Sequence, residues 1–522
     1  MKRAPVVMIG LDAAELTLIE RLCAEGVLPT LQSLRDRGCF GPLASDASIF
    51  AGGVWPTFYT AQAVPWHGIY HNILWRPERM RCEVVNDTWL PERPFWEGLD
   101  QDAYRIAVID VPMVAGVPRA VNGIQVAGWG THDVIAKGAW PPDLWRQLET
   151  DFGPPLMSSA IQGPQSAKTL LRLRDLLLET TDQMARLSAS LLAREAWDLF
   201  VVVFGATHRG GHYLWDVSQF DGAHVPVNAR RILDRALVDL YQACDRAIAQ
   251  LLERAAADAR ILVFAVHGMG PNPGWVGRCP EILSRIQPGP QGARGRPGLL
   301  HRLAKAIPRP LKRQLKGRIA RRSQGTLDRI SLWYANAHDW TEHRCFPLPM
   351  DLAGYLRINV KGREARGIVE PGPEYRALCE ELHDAFLSFR DVATGRPIVD
   401  RVYRLDDLAP PDAPYRELLP DLVIAWDGVS AQQSRAIHSP RYGEMRWETD
   451  ERLAYGRSGD HRERGWLLAA GEGIDPATRA EGHHIRDLVP TVFRWLGARP
   501  HATFQGRPIP ALCEGDRPTS TP

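Results

Sequence analysis

Three short apolar runs each stop at a residue able to bind a metal, which limits the chain to folds where several buried strands finish at one edge. Asp198-Leu199-Phe200-Val201-Val202-Val203-Phe204 leads to His208 and His212, four residues apart. Arg260 to Val266 ends at once in His267, and Pro5 to Leu11 runs into Asp12. Further on, Gly459-Asp460-His461-Arg462 places another histidine just before the apolar Gly465-Trp466-Leu467-Leu468. In a parallel α/β sheet the carboxyl ends of the strands face the crevice where ligands collect.

The rest of the chain supplies the helices such a sheet needs. Leu16, Ile19 and Leu22 have helical spacing up to Gly26, and a second helix starts after Pro29. Strands are expected near Gly41 to Ser45, Tyr104 to Asp110 and Gly123 to Ala127. Ala51 to Thr60 reads as a glycine-rich turn opening a helix, a position whose free N–H groups favour an anion but which is often only a turn. Leucine periodicity predicts crossover helices over 167–196 and 229–255, feeding the strands at 198–204 and 260–266. Alternation of strand and helix predicts an α/β fold with a mainly parallel sheet covered on both faces. Regular order returns at Leu352 to Val360, with a helix over Tyr375 to Phe389, strands at Leu422 to Trp426 and Trp466 to Ala470, and a last helix before Gly497.

Between about 272 and 341 the composition shifts to Gly, Pro and Arg. Arg302, Lys305, Arg309, Lys312, Arg313, Lys316, Arg318, Arg321 and Arg322 alternate there with leucine and isoleucine. This reads as a solvated helical excursion or as a basic cap drawing anions toward the site. The expected organisation is a discontinuous α/β domain, 1–271 and 342–512, interrupted by that insertion at 272–341, with a tail at 513–522.

Over 522 residues the formal net charge is only +2, so no overall basic field recruits nucleic acid or acidic membranes. The eight cysteines show no Cys-x-x-Cys spacing, which argues against a thiolate zinc site and for reduced structural thiols. No apolar run approaches the roughly 18 residues of a membrane span. The first run reaches Asp12 without a cleavage site and reads as a strand, so the expected compartment is the cytoplasm.

His208, His212 and His461 offer three imidazoles, a set suited to Zn²⁺ or another borderline divalent ion, with Asp12 and His267 adding a carboxylate and a fourth ring. Such an ion lowers the pKa of bound water to about 7 and neutralises phosphoryl charge. Each histidine taken singly also fits a structural role; their shared place at strand ends favours the metal. His132, His483 and His484 lack that placement. Asp460 fits either an imidazole-orienting role or a plain turn.

At this point the chain resembles the alkaline phosphatase superfamily, in its type I phosphodiesterase/nucleotide pyrophosphatase branch. Ile9-Gly10-Leu11-Asp12 with Gly26 to Leu31 is similar to its opening strand and helix. Trp55-Pro56-Thr57-Phe58-Tyr59-Thr60 with His67-Gly68-Ile69 is similar to its nucleophile region, and Thr207 to His212, Val266 to Met269 and Gly459 to Arg462 to its metal motifs. Asp487 to Thr491 and Gly506-Arg507-Pro508 fit as well. The resemblance implies an alkaline phosphatase-like core, two metal ions, usually zinc, and a Ser or Thr nucleophile. One ion maps to 208, His212 and His461; the other maps to Asp12, the nucleophile position, 266 and His267.

Three departures stand out. His208 and Val266 replace aspartates, and the nucleophile position falls on Ala51. These imply a three-histidine first site and a weak or absent second ion. The remaining nucleophile candidates are a metal-bound hydroxide, Thr57 six residues on, and the weaker Ser48. The expected function is a metal-dependent hydrolase of small anionic phosphate esters or anhydrides, using one or two zinc ions, with Mn or Fe as other possibilities. Its alternatives are a non-hydrolytic metal-binding relative serving as a binding or assembly module, and a sulfate or phosphonate ester hydrolase.

Overall fold

The computed structural model describes residues 4–86, 89, 93–99, 103–114, 119–131, 137–156, 166–219, 225–288, 332, 335–428, 431, 434–447 and 457–513. The basic 302–322 stretch, His132 and most of the tail lie outside these. So does most of the 272–341 insertion, whose role as a cap is therefore not described.

The apolar runs form strands because their β-branched and aromatic residues fill both faces of a buried sheet. Nine strands pair in the order His483–His484, Cys39–Ala44, Arg464–Ala470, Arg260–Ala265, Val6–Leu11, Leu199–Phe204, Ile106–Ile109, Gly123–Ala127, Gly138–Trp140. The five from Arg260–Ala265 to Gly123–Ala127 run parallel. Arg464–Ala470 and Gly138–Trp140 run against their neighbours. Alternate residues of one strand enter different cores: Val7, Ile9 and Leu11 pack under the helices Leu16–Ala24, Pro29–Asp36, Ala167–Arg194 and Val227–Leu252. Val6 and Met8 pack under Val54–Thr60 and Leu488–Leu496. The sheet is thus covered on both faces, as the strand–helix alternation predicts.

Level register sets the site. Leu11 pairs with Phe204 and Gly10 with Phe264, so Asp12, Gly205 and the residues after Ala265 emerge side by side at one edge. A short antiparallel ribbon, Gly268–Pro271 with Gly459–Arg462, crosses this edge and brings His461 opposite Met269.

Between Ala265 and Arg464 the chain builds a second lobe of antiparallel sheets. One orders Cys345–Pro347, Gly354–Ile358, Leu422–Trp426 and Val399–Arg404; the other contains Arg390–Asp391, Ala436–Ser439 and Gly443–Arg446. Its own core joins Trp275, Cys279 and Ile282 to Leu356, Phe386 and Ile424, so the beginning of the 272–341 segment singled out in the sequence packs within this lobe together with residues that follow the segment. A buried ion cluster fastens it to the main body: Glu364 accepts from Arg357 Nε at 2.8 Å and from Trp75 Nε1 at 2.9 Å. Tyr355 adds a bond to the Ile49 carbonyl at 2.7 Å.

The histidine-bearing segment is a helix, Ala206–Leu214, despite Gly210-Gly211 inside it. Crowding explains both glycines. A Cβ on Gly210 would meet Leu240 Cδ1 at 2.3 Å, and one on Gly211 would meet Met269 Cγ at 2.8 Å. From the ribbon side, a Cβ on Gly459 would lie 2.2 Å from the Gly211 carbonyl oxygen. Backbone cannot yield there as a flexible side chain would. Gly459→Ala is therefore expected to lower unfolding free energy by about 2 kcal/mol through overpacking, read from urea denaturation; an unchanged midpoint would show that the helix and ribbon part without penalty.

Candidate metal centre

Asp12 is fully buried at the end of the opening strand, and a carboxylate there requires partners. Its Oδ1 accepts from Trp55 Nε1 at 2.9 Å, and its Oδ2 lies 2.7 Å from His208 Nδ1. Thr207 Oγ1 donates to the Asp12 carbonyl at 2.6 Å, which fixes the helix start against the strand. One turn along that helix, His212 Nδ1 donates to the Gly459 carbonyl at 2.9 Å. His208 Nε2 and His212 Nε2 then face each other at 3.0 Å.

That contact tests whether the residues fit a metal ion. With Nδ1 of each ring turned to an oxygen acceptor, each neutral ring presents an Nε2 lone pair. Two lone pairs 3.0 Å apart repel unless a cation, a proton or a metal, lies between them. Burial lowers the His212 pKa well below the ordinary histidine value, with nearby Arg457, His461 and His208 adding to the shift, so His212 is neutral. Donor atoms of His208, His212 and His461 all lie within 4.8 Å of one another, and among the described residues these three form the one such His, Cys, Asp or Glu group. The donor set fits a borderline divalent ion.

His267 stands beside this group, its ring centroid 4.6 Å from that of His461 and 6.0 Å from that of His208. Both its ring nitrogens are buried without a hydrogen-bond partner among the described residues. Burial first, then the neighbouring His461, holds its pKa well down. It is a neutral ring with one nitrogen lone pair and one N–H to offer, and Val266 before it is apolar and fully buried.

The structure thus brings Asp12, His208, His212, His267 and His461 together and sets Thr57 apart from them. Thr57 lies two residues beyond Trp55 on the Val54–Thr60 helix, about 200° around its axis, while the Trp55 indole is the side chain that reaches Asp12. Thr57 Oγ1 lies 3.0 Å from His67 Nε2. Since His67 Nδ1 accepts the Ile69 N–H at 3.1 Å, Nε2 carries the proton and donates to the threonine. Burial pushes the His67 pKa down to about 3. Ser48 is half-buried and donates to Glu463 at 3.0 Å. Ala51 opens a buried 3₁₀ turn before the helix. His483 and His484 form the last strand of the sheet, away from the cluster. Asp460 accepts the His461 backbone N–H at 3.0 Å, and burial with the neighbouring Asp351 raises its pKa to about 7. Trp75 and Trp129 are core residues, and Arg76 stacks over Trp89 at 3.3 Å.

Sequence reasoning missed Trp55 as the partner of Asp12, and it missed Asp351. Asp351 comes from the loop before Gly354–Ile358 in the second lobe, with Oδ2 3.9 Å from His461 Nε2 and Oδ1 2.9 Å from Arg457 Nη1. Burial works against its charge, but Arg457, His461, His71 and His208 outweigh that and hold its pKa below the usual carboxylate range. No spacing rule connects residue 351 to residue 461.

A mixed α/β fold with a group of histidines able to hold a metal ion at the carboxyl edge of a parallel sheet defines the class. Residues 6–431 match the family model for type I phosphodiesterase / nucleotide pyrophosphatase, and the chain belongs to that family. It is accordingly a phosphoric ester hydrolase by class, in a family whose members are metal-dependent. No curated protein matches the sequence. Among solved structures, phosphonoacetate hydrolase from Sinorhizobium meliloti 1021, in complex with phosphonoacetate, has a TM-score of 0.50 at 13% identity, over 95% of this chain and 96% of that one. Human ectonucleotide pyrophosphatase / phosphodiesterase 5 has a TM-score of 0.48 at 11% identity, over 95% and 96%. Among the described residues no helix is long and apolar enough to cross a membrane.

Trp55→Phe removes the indole donor and leaves Asp12 Oδ1 buried without it. The expected loss is about 1–3 kcal/mol of stability, measured by urea unfolding; no loss would mean that Asp12 does not depend on this bond.

Proposed function

We propose that this protein hydrolyses a phosphate ester or anhydride with a single zinc-like ion held by His208, His212 and His461. The observation that carries this reading is the pair of Nε2 atoms facing each other at 3.0 Å inside a three-histidine group. Imidazole donors favour zinc, with manganese or iron as the alternatives. One ion is expected because Val266 is apolar and both Asp12 oxygens are engaged, by Trp55 and by His208. Bound there, the ion neutralises charge on a phosphoryl oxygen and acidifies water to a pKa near 7.

The chain's own groups then have defined tasks. Asp12 fixes the tautomer and direction of His208, and the Gly459 carbonyl does the same for His212. His67 donates to Thr57 and is too weak a base to take its proton, so Thr57 is not activated as a nucleophile. Ala51 has no hydroxyl. Water is the nucleophile this arrangement supports. A reduced compartment, the cytoplasm, is supported by the seven buried cysteines from Cys23 to Cys379, none of them in a disulfide.

Elemental analysis of the purified full chain should find about one divalent ion per chain, and His208→Ala should lose it. A wild type without metal would overturn the hydrolytic reading and favour a binding or assembly module, to which Ala51 and Val266 already lend support. With metal bound, turnover is expected among phosphate monoesters, diesters and anhydrides; turnover confined to sulfate or phosphonate esters would favour that alternative instead. Thr57→Val should keep kcat within a few-fold of wild type. A fall of 100-fold or more in a folded, metal-loaded variant would restore Thr57 as the attacking group.

A further inference from the structure

We infer that Asp351, supplied by the second lobe, is the carboxylate ligand that completes the three-histidine metal site. This rests on the metal reading above and deepens it. Three neutral imidazoles bring no negative charge to a divalent ion. Each carboxylate close to them except Asp351 is turned elsewhere: Asp12 to His208 and Trp55, Asp460 to the backbone of His461. Position 266, where the resemblance implies an aspartate, is apolar.

Asp351 is built for the task. Arg457 Nη1 holds Oδ1 at 2.9 Å, which keeps the group ionised and leaves Oδ2 directed at the His461 ring. The 3.9 Å between Oδ2 and His461 Nε2 is too long for a hydrogen bond. It is near the separation of two ligands on one tetrahedral ion, about 3.4 Å for bonds of about 2.1 Å. The Asp351 side chain is 29% exposed, whereas that of His461 is 5% exposed. The carboxylate therefore sits where the site opens, and expansion to five ligands leaves a place for water or substrate beside it. Because Asp351 lies in the second lobe while His208 and His212 lie on the helix that follows a strand of the main sheet, metal binding through it would clamp the two together.

Cobalt(II) titration of the full-length chain tests this without an activity assay. Asp351→Asn keeps size and removes charge, and it should weaken cobalt binding by about 10-fold or more and alter the d–d spectrum. Asp351→Cys should produce a thiolate-to-cobalt charge-transfer band that the wild type, with its eight native cysteines, does not show. Circular dichroism checks the fold of each variant. If the asparagine variant does not fold, the cysteine variant decides. A folded cysteine variant that binds cobalt without that band, or an asparagine variant with wild-type affinity and spectrum, would overturn the assignment while leaving the three-histidine site standing. A wild type that binds no cobalt would overturn both.

Discussion

The contact on which the rest depends is the 2.7 Å bond between Asp12 and His208. It joins the ends of two adjacent parallel strands, and it forms only because Leu11 and Phe204 stand in register. A slip by one residue would turn Asp12 to the other face of the sheet and separate it from the helix that carries His208. Trp55 reaches the same carboxylate from the layer on the opposite face, so one buried charge gathers the sheet and elements from both sides. Isolated, that charge would cost several kcal/mol; its partners make burial tolerable, and their directions dictate where the histidines point.

What could be read from the sequence follows from the range of the forces involved. Apolar runs such as Leu199 to Phe204 are buried on both faces, so their composition alone marks them as strands, and Gly123–Ala127 and Leu422–Trp426 have the limits that composition suggests. The helix Ala206–Leu214 was not legible, because Gly210-Gly211 lowers helix propensity and its reason lies in Leu240 and Met269, far along the chain. The gathering of Asp12 with His208, His212, His267 and His461 followed from strand ends and family motifs. Asp351 left no trace, since its relation to His461 exists only once the second lobe docks through Glu364 and Trp75.

The environment of His267 bears on whether the site is altered or lost. Two buried ring nitrogens without partners carry a penalty of about 1–3 kcal/mol, which an apolar residue of similar size would remove. The neighbouring position 266 holds just such a residue. An imidazole at 267 with both nitrogens unpartnered among the described residues fits a ring whose partner enters the site from outside the protein.

Geometry links the departures into one change. A carboxylate at 208 would need no orienting group, but an imidazole does, and Asp12 is the group within reach of its Nδ1. Once Asp12 holds His208 on one oxygen and Trp55 on the other, it has less to offer a second ion. On the proposed one-ion reading, neither a carboxylate at 266 nor a hydroxyl at 51 has a charge to complement, and apolar residues are the stable occupants of such buried positions. On that reading the exchange at 208 is sufficient to explain the other two, and Asp351, with Oδ2 3.9 Å from His461 Nε2, is the carboxylate the second lobe brings to the site.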